Sequence, residues 1–384
     1  MQLEKTPPYY VVRDRIKALV PARLKPSLLR LEKQARILRY RDRRVRFVDP
    51  ERDTEAIDRR LHRLNDAAEK GVGWALAELQ TGSIATPEDL LSACYKGVWA
   101  LAAAGRADDA RTLLERITRE ASTDGDLPTT DANAWHSIYP HSYIAIGAHE
   151  IGERGPFGAI SGFVAAAQDP RTGGFWSQPL HSERCIDSVS TSLGGLVQLR
   201  RGRQESAERA AEALGRILRS QPAPLRVFFT TMGGDGRLIA DPSLSKFRAM
   251  HVGLPDQVWY ALGLASLFLA ELYERSGEEA HLEMAVAHME YFRRCRARDR
   301  FFLADAGKTA AAAAALYRLT RNTSYARAAL SMSAFIAGRQ HPNGRWSHGR
   351  PDAGNLLTDI QRTFEYVLWL RLVTGSFGRA RDIT

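Results

Sequence analysis

Several features that would point to particular protein classes are scarce or missing in this chain of 384 residues. No uninterrupted apolar run reaches the roughly 18 residues that a membrane-spanning helix needs. The N-terminal stretch MQLEKTPPYYVVRDR has no apolar segment typical of a secretory signal, so we expect a cytoplasmic protein. The cysteines Cys94, Cys185 and Cys295 are far apart and form no CxxC pair, which predicts no disulfide framework and fits a reducing compartment.

Positive charge is in excess, with a formal net charge of +10, and it is concentrated near the N-terminus. Between Arg13 and Arg46, thirteen Lys and Arg residues face three acidic ones. Aromatic residues are not interleaved with these charges, so we expect no nucleic-acid partner. We interpret residues 1–53 as a basic N-terminal arm and helix on the outside of a single domain at 54–384. Weak contact with an anionic surface and attraction of an anionic substrate are the alternatives.

Helices in this chain end repeatedly in the same way. An apolar helix stops at Gln340, a Pro-Asn-Gly turn follows, and Trp346 comes two residues after the glycine. The same order occurs earlier in the chain, where an apolar stretch stops at Gln168, Asp-Pro-Arg-Thr-Gly follows, and Gly174-Phe-Trp176 comes next. A weaker copy ends at Gln80-Thr-Gly82. Proline fixes φ and lacks an N–H group, and glycine readily adopts positive φ, so both residue types end helices. Recurrence of this ending predicts a repeat architecture.

Apolar residues recur at i, i+3, i+4 and i+7 through most of the remaining chain, which predicts twelve helices. Short and long connections between them alternate strictly, so a ring of antiparallel hairpins would carry every long loop on one face. We expect no strand except a short one within a loop at 226–231. The predicted helices are 54–80, 86–104, 107–122, 135–152, 155–168, 186–201, 204–221, 256–275, 279–295, 306–320, 323–340 and 357–374.

The two halves of each helical pair differ in composition. Helices that follow a long loop are rich in Ala, Gly and other small residues, as in Ala306 to Ala315, whereas those that precede one are amphipathic, as in Glu205 to Arg219. Small, apolar helices suit a crowded inner ring, and amphipathic helices suit an outer ring. The sequence therefore predicts an all-α protein, an (α/α)6 toroid or double-ring helical barrel with an N-terminal helical arm.

The Gln-x(3–5)-Gly-x-Trp endings resemble the repeat of the terpenoid cyclase and protein prenyltransferase superfamily. The resemblance extends over residues 54–375 and implies a toroid with a central cavity. The same barrel also occurs in six-hairpin glycosidases, uronyl hydrolases and lyases, so the reaction has to be inferred from the residues of the site and not from the fold. The DxDD motif of class II terpene cyclases is absent, and only Asp187 stands at the corresponding position. The zinc-ligand motifs of the prenyltransferases are absent as well, and we expect no metal and no cofactor.

Candidate site residues lie where the predicted inner helices begin. Carboxyl groups and histidines there could transfer protons, although acids at these positions also serve as ordinary helix caps. Aromatic rings there could line a cavity or stack in the core, and Lys308 could anchor a substrate or pair with Asp305. The predicted catalytic residues are Asp131, His136, Asp187, Asp256 and Asp305. The predicted substrate-binding residues are Trp135, Tyr139, Tyr143, Trp176, His251, Trp259, Lys308, Trp346, His348 and Asp359.

This set of residues predicts an acid–base enzyme, a cyclase, isomerase or lyase, acting on an apolar or amphipathic small molecule such as a terpenoid or polyketide. Aromatic faces would stabilise cationic intermediates in that case. The first alternative is a carbohydrate-active hydrolase, polysaccharide lyase or epimerase, because aromatic rings also stack on sugars and paired carboxylates cleave glycosides. The second alternative is a toroid that binds a partner without catalysis.

Overall fold

The structure is a computed structural model that describes residues 54–119, 124–127, 138–177, 185–222, 226–251, 257–294, 303–347 and 355–382. The predicted basic arm at 1–53 lies outside these ranges. The helices in chain order are α1 (Thr54–Gln80), α2 (Pro87–Cys94), α3 (Gly97–Ala103), α4 (Ala107–Thr118), α5 (Ile138–Glu150), α6 (Arg154–Ala166), α7 (Ser188–Arg200), α8 (Gln204–Arg219), α9 (Tyr260–Ser276), α10 (Glu279–Arg294), α11 (Leu303–Thr320), α12 (Thr323–Ala337) and α13 (Leu356–Asp382).

An inner ring of helices closes on itself. The segment α2–α3 and the helices α5, α7, α9, α11 and α13 each pack against the next, and α13 packs against α3 to complete the ring. Nearly every residue of α7 is buried, and in α9 every residue from Ala261 to Ala270 is buried. A helix in this position contacts neighbours on all sides, which explains why its sequence is apolar and small all round.

An outer ring surrounds the inner one. The helices α4, α6, α8, α10 and α12 each pack against the inner helix that precedes them, while α1 packs against α13 and so joins the two ends of the domain. All inner helices therefore begin at the same end of the toroid, which we call the loop face. The predicted (α/α)6 toroid is confirmed. No helix among the described residues combines the length and the apolar character that crossing a bilayer requires.

Two small antiparallel sheets lie in the connections on the loop face. Strand β1 (Cys185–Asp187) pairs with β3 (Thr231–Gly233), and β2 (Val227–Phe229) pairs with β4 (Ala249–His251). The sequence predicted only the strand at 226–231, so three of these strands were missed. Each has three residues, which is too short for an alternating pattern to stand out.

The side chain of Gln340 joins three parts of the ring. Its amide donates to the Gly344 carbonyl and to the Ala67 carbonyl of α1, both at 2.7 Å. Gly344 has a φ of 99°, and a Cβ there would collide with the backbone of α1. The backbone N–H of Trp346 donates to Thr363 Oγ1 of α13 at 3.0 Å. The ending that recurs in the sequence thus ties one outer helix to the next outer helix and to an inner helix.

The copy at Gln168 makes the corresponding contacts. Its amide donates to the carbonyls of Gly173 and of Ser206 on α8, both at 2.8 Å. Gly173 also has positive φ, 77°, and also lies against the backbone of an outer helix. The backbone N–H of Phe175 donates to Thr191 Oγ1 of α7 at 3.1 Å.

The other two copies of this ending differ from the one at Gln340. Phe175, which is fully buried, takes the place of Trp346, whereas Trp176 is one position further along and only partly buried. The turn after Gln168 is one residue longer than the turn after Gln340, so Gly173 corresponds to Gly344 and Phe175 corresponds to Trp346. Gln80 is exposed at the end of α1, whereas Gln168 and Gln340 are partly buried between outer helices.

Some helix boundaries also differ from the prediction. The helix expected at 86–104 is interrupted at Tyr95 and Lys96, between α2 and α3. The helix expected at 357–374 continues to Asp382, because Phe377 and Ala380 extend its buried side.

Candidate functional site

A buried ion cluster centred on Glu365 lies inside the inner ring. The carboxylate is 1% exposed, and its Oε2 accepts hydrogen bonds from Lys96 Nζ at 2.9 Å and from Arg362 Nη1 at 2.6 Å. Its Oε1 accepts a hydrogen bond from Lys308 Nζ. We call Lys96, Lys308, Arg362 and Glu365 the central ion cluster. It places three cations around one carboxylate.

The interruption between α2 and α3 places Lys96 in the cluster. Lys96 is buried, and the glycine that follows it, Gly97, packs closely on α13. A Cβ at Gly97 would lie 3.1 Å from the ring of Phe364, the neighbour of Glu365, which is closer than side chains normally approach. The helix break and the glycine together bring the Lys96 ammonium to the Glu365 carboxylate.

Close packing of α11 on α13 places Lys308 in the cluster. The preceding residue, Gly307, faces the indole of Trp369 so closely that a side chain there would overlap the ring. Lys308 is 3% exposed, and its ammonium lies 5.5 Å from the centre of the Trp369 ring and 4.8 Å from that of Tyr260 on α9.

Three tyrosine rings lie beside Lys96. The rings of Tyr95 and Tyr139 are 5.7 Å apart between centroids, those of Tyr95 and Tyr143 are 5.8 Å apart, and those of Tyr139 and Tyr143 are 5.0 Å apart. The Lys96 ammonium lies 4.7 Å from the centre of the Tyr95 ring, a distance at which the ring face attracts a cation. The central ion cluster, these three tyrosines and Tyr260 come from five of the six inner positions, so the cluster lies near the axis of the toroid.

Burial and mutual charge shift the proton equilibria of the cluster. Burial lowers the pKa of Lys96 and of Lys308 to about 8, while the charge of Glu365 opposes this shift. Burial alone would raise the pKa of Glu365, but Lys308, Lys96 and Arg362 hold it well below its usual range. At neutral pH the carboxylate is therefore ionised, and the lysines can exchange protons near physiological pH.

Two of the predicted acidic residues are buried outside the central ion cluster. Asp187 caps α7, because its Oδ1 accepts hydrogen bonds from the backbone N–H groups of Val189 at 2.8 Å and Ser190 at 2.9 Å. Asp359 begins the buried side of α13. Burial raises the pKa of Asp359, and the Arg345 guanidinium, 3.6 Å away, opposes this rise.

Several predicted substrate-binding residues lie in the wall of the toroid instead of at the cluster. Trp346 is fully buried and its indole N–H donates to the Ile336 carbonyl at 2.8 Å. Trp259 is 1% exposed at the start of α9. His251 lies on β4, where its Nε2 is 3.1 Å from the Pro242 carbonyl oxygen. The placements of Trp346 and Trp259 reflect core packing, which the sequence analysis considered as the alternative for such aromatic residues. His251 is only partly buried, in a connection on the loop face.

The predicted residues that the structure brings together at the axis are Tyr139, Tyr143 and Lys308. Lys308 pairs with Glu365, and the side chain of Asp305 is not among those described. No three or more His, Cys, Asp or Glu side chains in the described ranges are arranged to hold a metal ion. The absence of a metal and of a cofactor stays a prediction. Asp131, Trp135, His136, Asp256 and His348 lie outside the described residues, and their roles also stay predictions.

Sequence reasoning missed Lys96 and did not single out Glu365. A signal was present, because each is a charged residue within an apolar inner-helix stretch, as in Ala-Cys-Tyr-Lys96-Gly-Val-Trp and Phe-Glu365-Tyr-Val-Leu-Trp. Charged side chains are rarely buried unless they are paired. A lone charge on a helix assigned to the inner ring therefore points to a partner on another inner helix.

Comparisons with known proteins address the fold. No protein-family model matches the sequence, and no curated protein matches it significantly. An unsaturated glucuronyl hydrolase specific for heparin has a similar structure, with a TM-score of 0.57, 12% identity, and coverage of 82% of this chain and 97% of that one. A D-mannose isomerase matches with a TM-score of 0.56 and 10% identity, over 84% of this chain and 97% of that one.

A family 76 glycoside hydrolase from a bovine Bacteroides thetaiotaomicron strain is also similar, with a TM-score of 0.51 and 13% identity over 74% of this chain and 68% of that one. At such low identity the likeness is evidence for the toroid fold alone. The resemblance to terpenoid cyclases gains no support from these structures.

Proposed function

We propose that this protein is a carbohydrate-active enzyme that moves a proton between carbon atoms of a sugar, as an isomerase or epimerase does. The observation that carries the proposal is the central ion cluster, in which two buried lysines with pKa values of about 8 share one ionised carboxylate. Support for a sugar comes from the similar structures, which include a glucuronyl hydrolase and a D-mannose isomerase.

The cluster suits proton abstraction next to a carbonyl group. A neutral lysine accepts the proton, the electron pair of the C–H bond forms a carbon–carbon double bond, and the π pair of the carbonyl group moves onto its oxygen to give an enolate. Return of the proton to the former carbonyl carbon isomerises the sugar, when the hydroxyl proton of the neighbouring carbon also moves to the former carbonyl oxygen. Return of the proton to the opposite face of the carbon that lost it epimerises the sugar. A base is most effective when its pKa lies near the working pH. The remaining cations stabilise the negative charge that develops on oxygen.

Glycoside hydrolysis is the second candidate. It generally requires a protonated carboxylic acid together with an ionised carboxylate. Glu365 is unsuited to the acid role, because three cations hold its pKa well below the usual range. Asp359 fits that role better, because burial raises its pKa. We therefore rank hydrolysis, with Asp359 as the proton donor, below isomerisation.

Cyclisation through carbocations, which the resemblance to terpenoid cyclases implies, fits the cluster poorly. Aromatic faces such as those of Tyr139 and Tyr143 attract cations. The cluster beside them holds three cations and one carboxylate, so it would repel a carbocation formed nearby.

The test is to incubate the purified protein in D2O with a panel of neutral and acidic sugars and to follow each by proton NMR. We expect loss of the signal of the C–H group next to the carbonyl and the appearance of an isomer. Lys96→Met and Lys308→Met are expected to slow exchange by about 10²-fold or more, because each removes a candidate base or its charged neighbour. Lys70→Met removes an exposed lysine of α1 and is the matched control.

The pH dependence of the exchange rate provides an independent check. The rate is expected to rise as pH increases through about 8, because only the neutral amine accepts a proton. Full exchange in both lysine variants, or no exchange with any sugar, would contradict the proposal. Release of new reducing ends from an oligosaccharide, abolished by Asp359→Asn, would establish hydrolysis instead.

A further inference from the structure

Positive charge exceeds negative charge within the central ion cluster. The central ion cluster carries a formal charge of +2 when both lysines are protonated. Among the described residues, Glu365 is the one carboxylate whose charge acts on Lys96 and on Lys308. Buried charge without a counter-charge is unfavourable, so a cluster of this kind favours the binding of an anion.

The neighbouring aromatic rings reduce the imbalance without removing it. Lys96 lies over the rings of Tyr95, Tyr139 and Tyr143, and Lys308 lies over that of Tyr260. A ring face attracts a cation through its quadrupole but has no net charge. Within the part of the chain that the structure describes, the cluster therefore keeps its excess of two positive charges.

Arg362 is the most exposed member of the cluster. It lies one helical turn nearer the loop face than Glu365, and its side chain is 21% exposed, against 3% for each lysine. Its Nη1 donates a hydrogen bond to Glu365 Oε2 at 2.6 Å. A guanidinium group matches the planar geometry of a carboxylate and binds it with two parallel hydrogen bonds.

We propose that the substrate carries an anionic substituent, a carboxylate or a sulfate on the sugar, which binds on the loop-face side of the central ion cluster. Arg362 is its main contact, and Lys96 and Lys308 supply further positive charge beneath it. The inference rests on the proposed function for the sugar, whereas the negative charge of the substrate follows from the cluster itself.

Isothermal titration calorimetry near neutral pH tests the inference with three probes: glucuronate, glucose 6-sulfate and glucose. We expect at least one anionic probe to bind about tenfold or more tightly than glucose, and the tighter of the two identifies the preferred anion. Arg362→Gln is expected to weaken that binding by about tenfold to a hundredfold, because it removes a charged hydrogen-bond donor.

The matched control is Arg371→Gln. Arg371 lies on the same helix, α13, but pairs with Glu69 of the outer helix α1, so this variant lowers the net charge equally without changing the cluster. It is expected to bind the anionic probe as the wild type does. If Arg362→Gln fails to fold, as a melting curve would reveal, Lys96→Met replaces it and is expected to weaken binding in the same direction.

The affinity should also depend on pH. An anion prefers protonated lysines, so its affinity is expected to fall as pH rises through about 8, where burial has placed the lysine pKa values. Equal binding of all three probes would overturn the inference, as would an equal loss of binding in the Arg362 and Arg371 variants.

The two proposals fail in different ways. Conversion of a neutral sugar, combined with no preference for the anionic probes, would leave the proposed function standing and refute the inference. Binding of glucuronate or glucose 6-sulfate that depends on Arg362, combined with no conversion of any sugar, would support the anion site and refute the proposed function.

Discussion

Replacing Glu365 by glutamine should strongly destabilise the toroid at neutral pH. The substitution keeps the size of the side chain and removes the only negative charge of the central ion cluster. Lys96, Lys308 and Arg362 would then face one another without a counter-charge in a region that is almost fully buried. Removing one partner of a buried ion pair typically costs about 3–5 kcal/mol.

The lysines limit this cost, since they can lose their protons. With a pKa of about 8, deprotonating one lysine at about pH 7 requires between about 1 and 2 kcal/mol, so two such losses require about 3 kcal/mol. Arg362 does not deprotonate, and it also loses its hydrogen bond to the carboxylate. The typical cost of breaking a buried ion pair and the cost of the two proton losses therefore agree on a loss of stability of about 3–5 kcal/mol.

The assay is urea unfolding followed by circular dichroism at about pH 7 and about pH 9.5. The deficit of Glu365→Gln is expected to shrink at the higher pH, where the folded lysines are largely neutral in both proteins. Wild-type stability should itself rise from about pH 8 towards 10.5, because there the unfolded lysines bind more protons than the folded ones.

Glu69→Gln is the control, because it removes a half-exposed carboxylate that pairs with Arg371 on the outer side of α13. Its effect should stay within about 1 kcal/mol. The reasoning would be refuted if Glu365→Gln cost less than about 1 kcal/mol at neutral pH, or if its deficit were the same at both pH values.

Two further predictions concern the ring and its caps. Gln340→Ala is expected to lower the free energy of unfolding by about 1–3 kcal/mol in the same urea assay, because two backbone carbonyls lose their hydrogen-bond donor. Gln80→Ala, at an exposed position, is the control and should change the free energy of unfolding by less than about 0.5 kcal/mol. Asp187→Ala is expected to cost about 1 kcal/mol through loss of the α7 cap, whereas Asp187→Asn keeps an accepting oxygen. A turnover assay of Asp187→Asn separates helix capping from catalysis, because asparagine can cap the helix but cannot act as a catalytic carboxylate.

Much of the fold was accessible from the sequence because its signals are local. Gln340, the turn at Gly344 and the alternation of short and long connections identified helix ends within a few residues. The spacing of apolar residues distinguished inner from outer helices, since a helix surrounded by others needs small apolar residues on every side. The short strands and the break at Lys96 were missed, because they depend on contacts with distant segments.

The site was much less accessible. Lys96 and Glu365 are 269 residues apart in the chain, and Lys308 and Glu365 are 57 apart. Their pairing depends on the rotation of each inner helix about its own axis, which neighbouring side chains such as Trp369 and Phe364 determine. The loops gave richer patterns of acids and aromatic rings, yet Trp346 and Trp259 proved to lie in the wall of the ring.

The sequence by itself determined the order and character of the helices, because hydrophobic spacing and helix-ending residues act over a few positions. Only the tertiary structure decided which side chains meet near the axis, and that Phe175 instead of Trp176 fills the position of Trp346. A shift of one residue rotates a helical side chain by about 100°, and close packing of one helix against another selects the rotation.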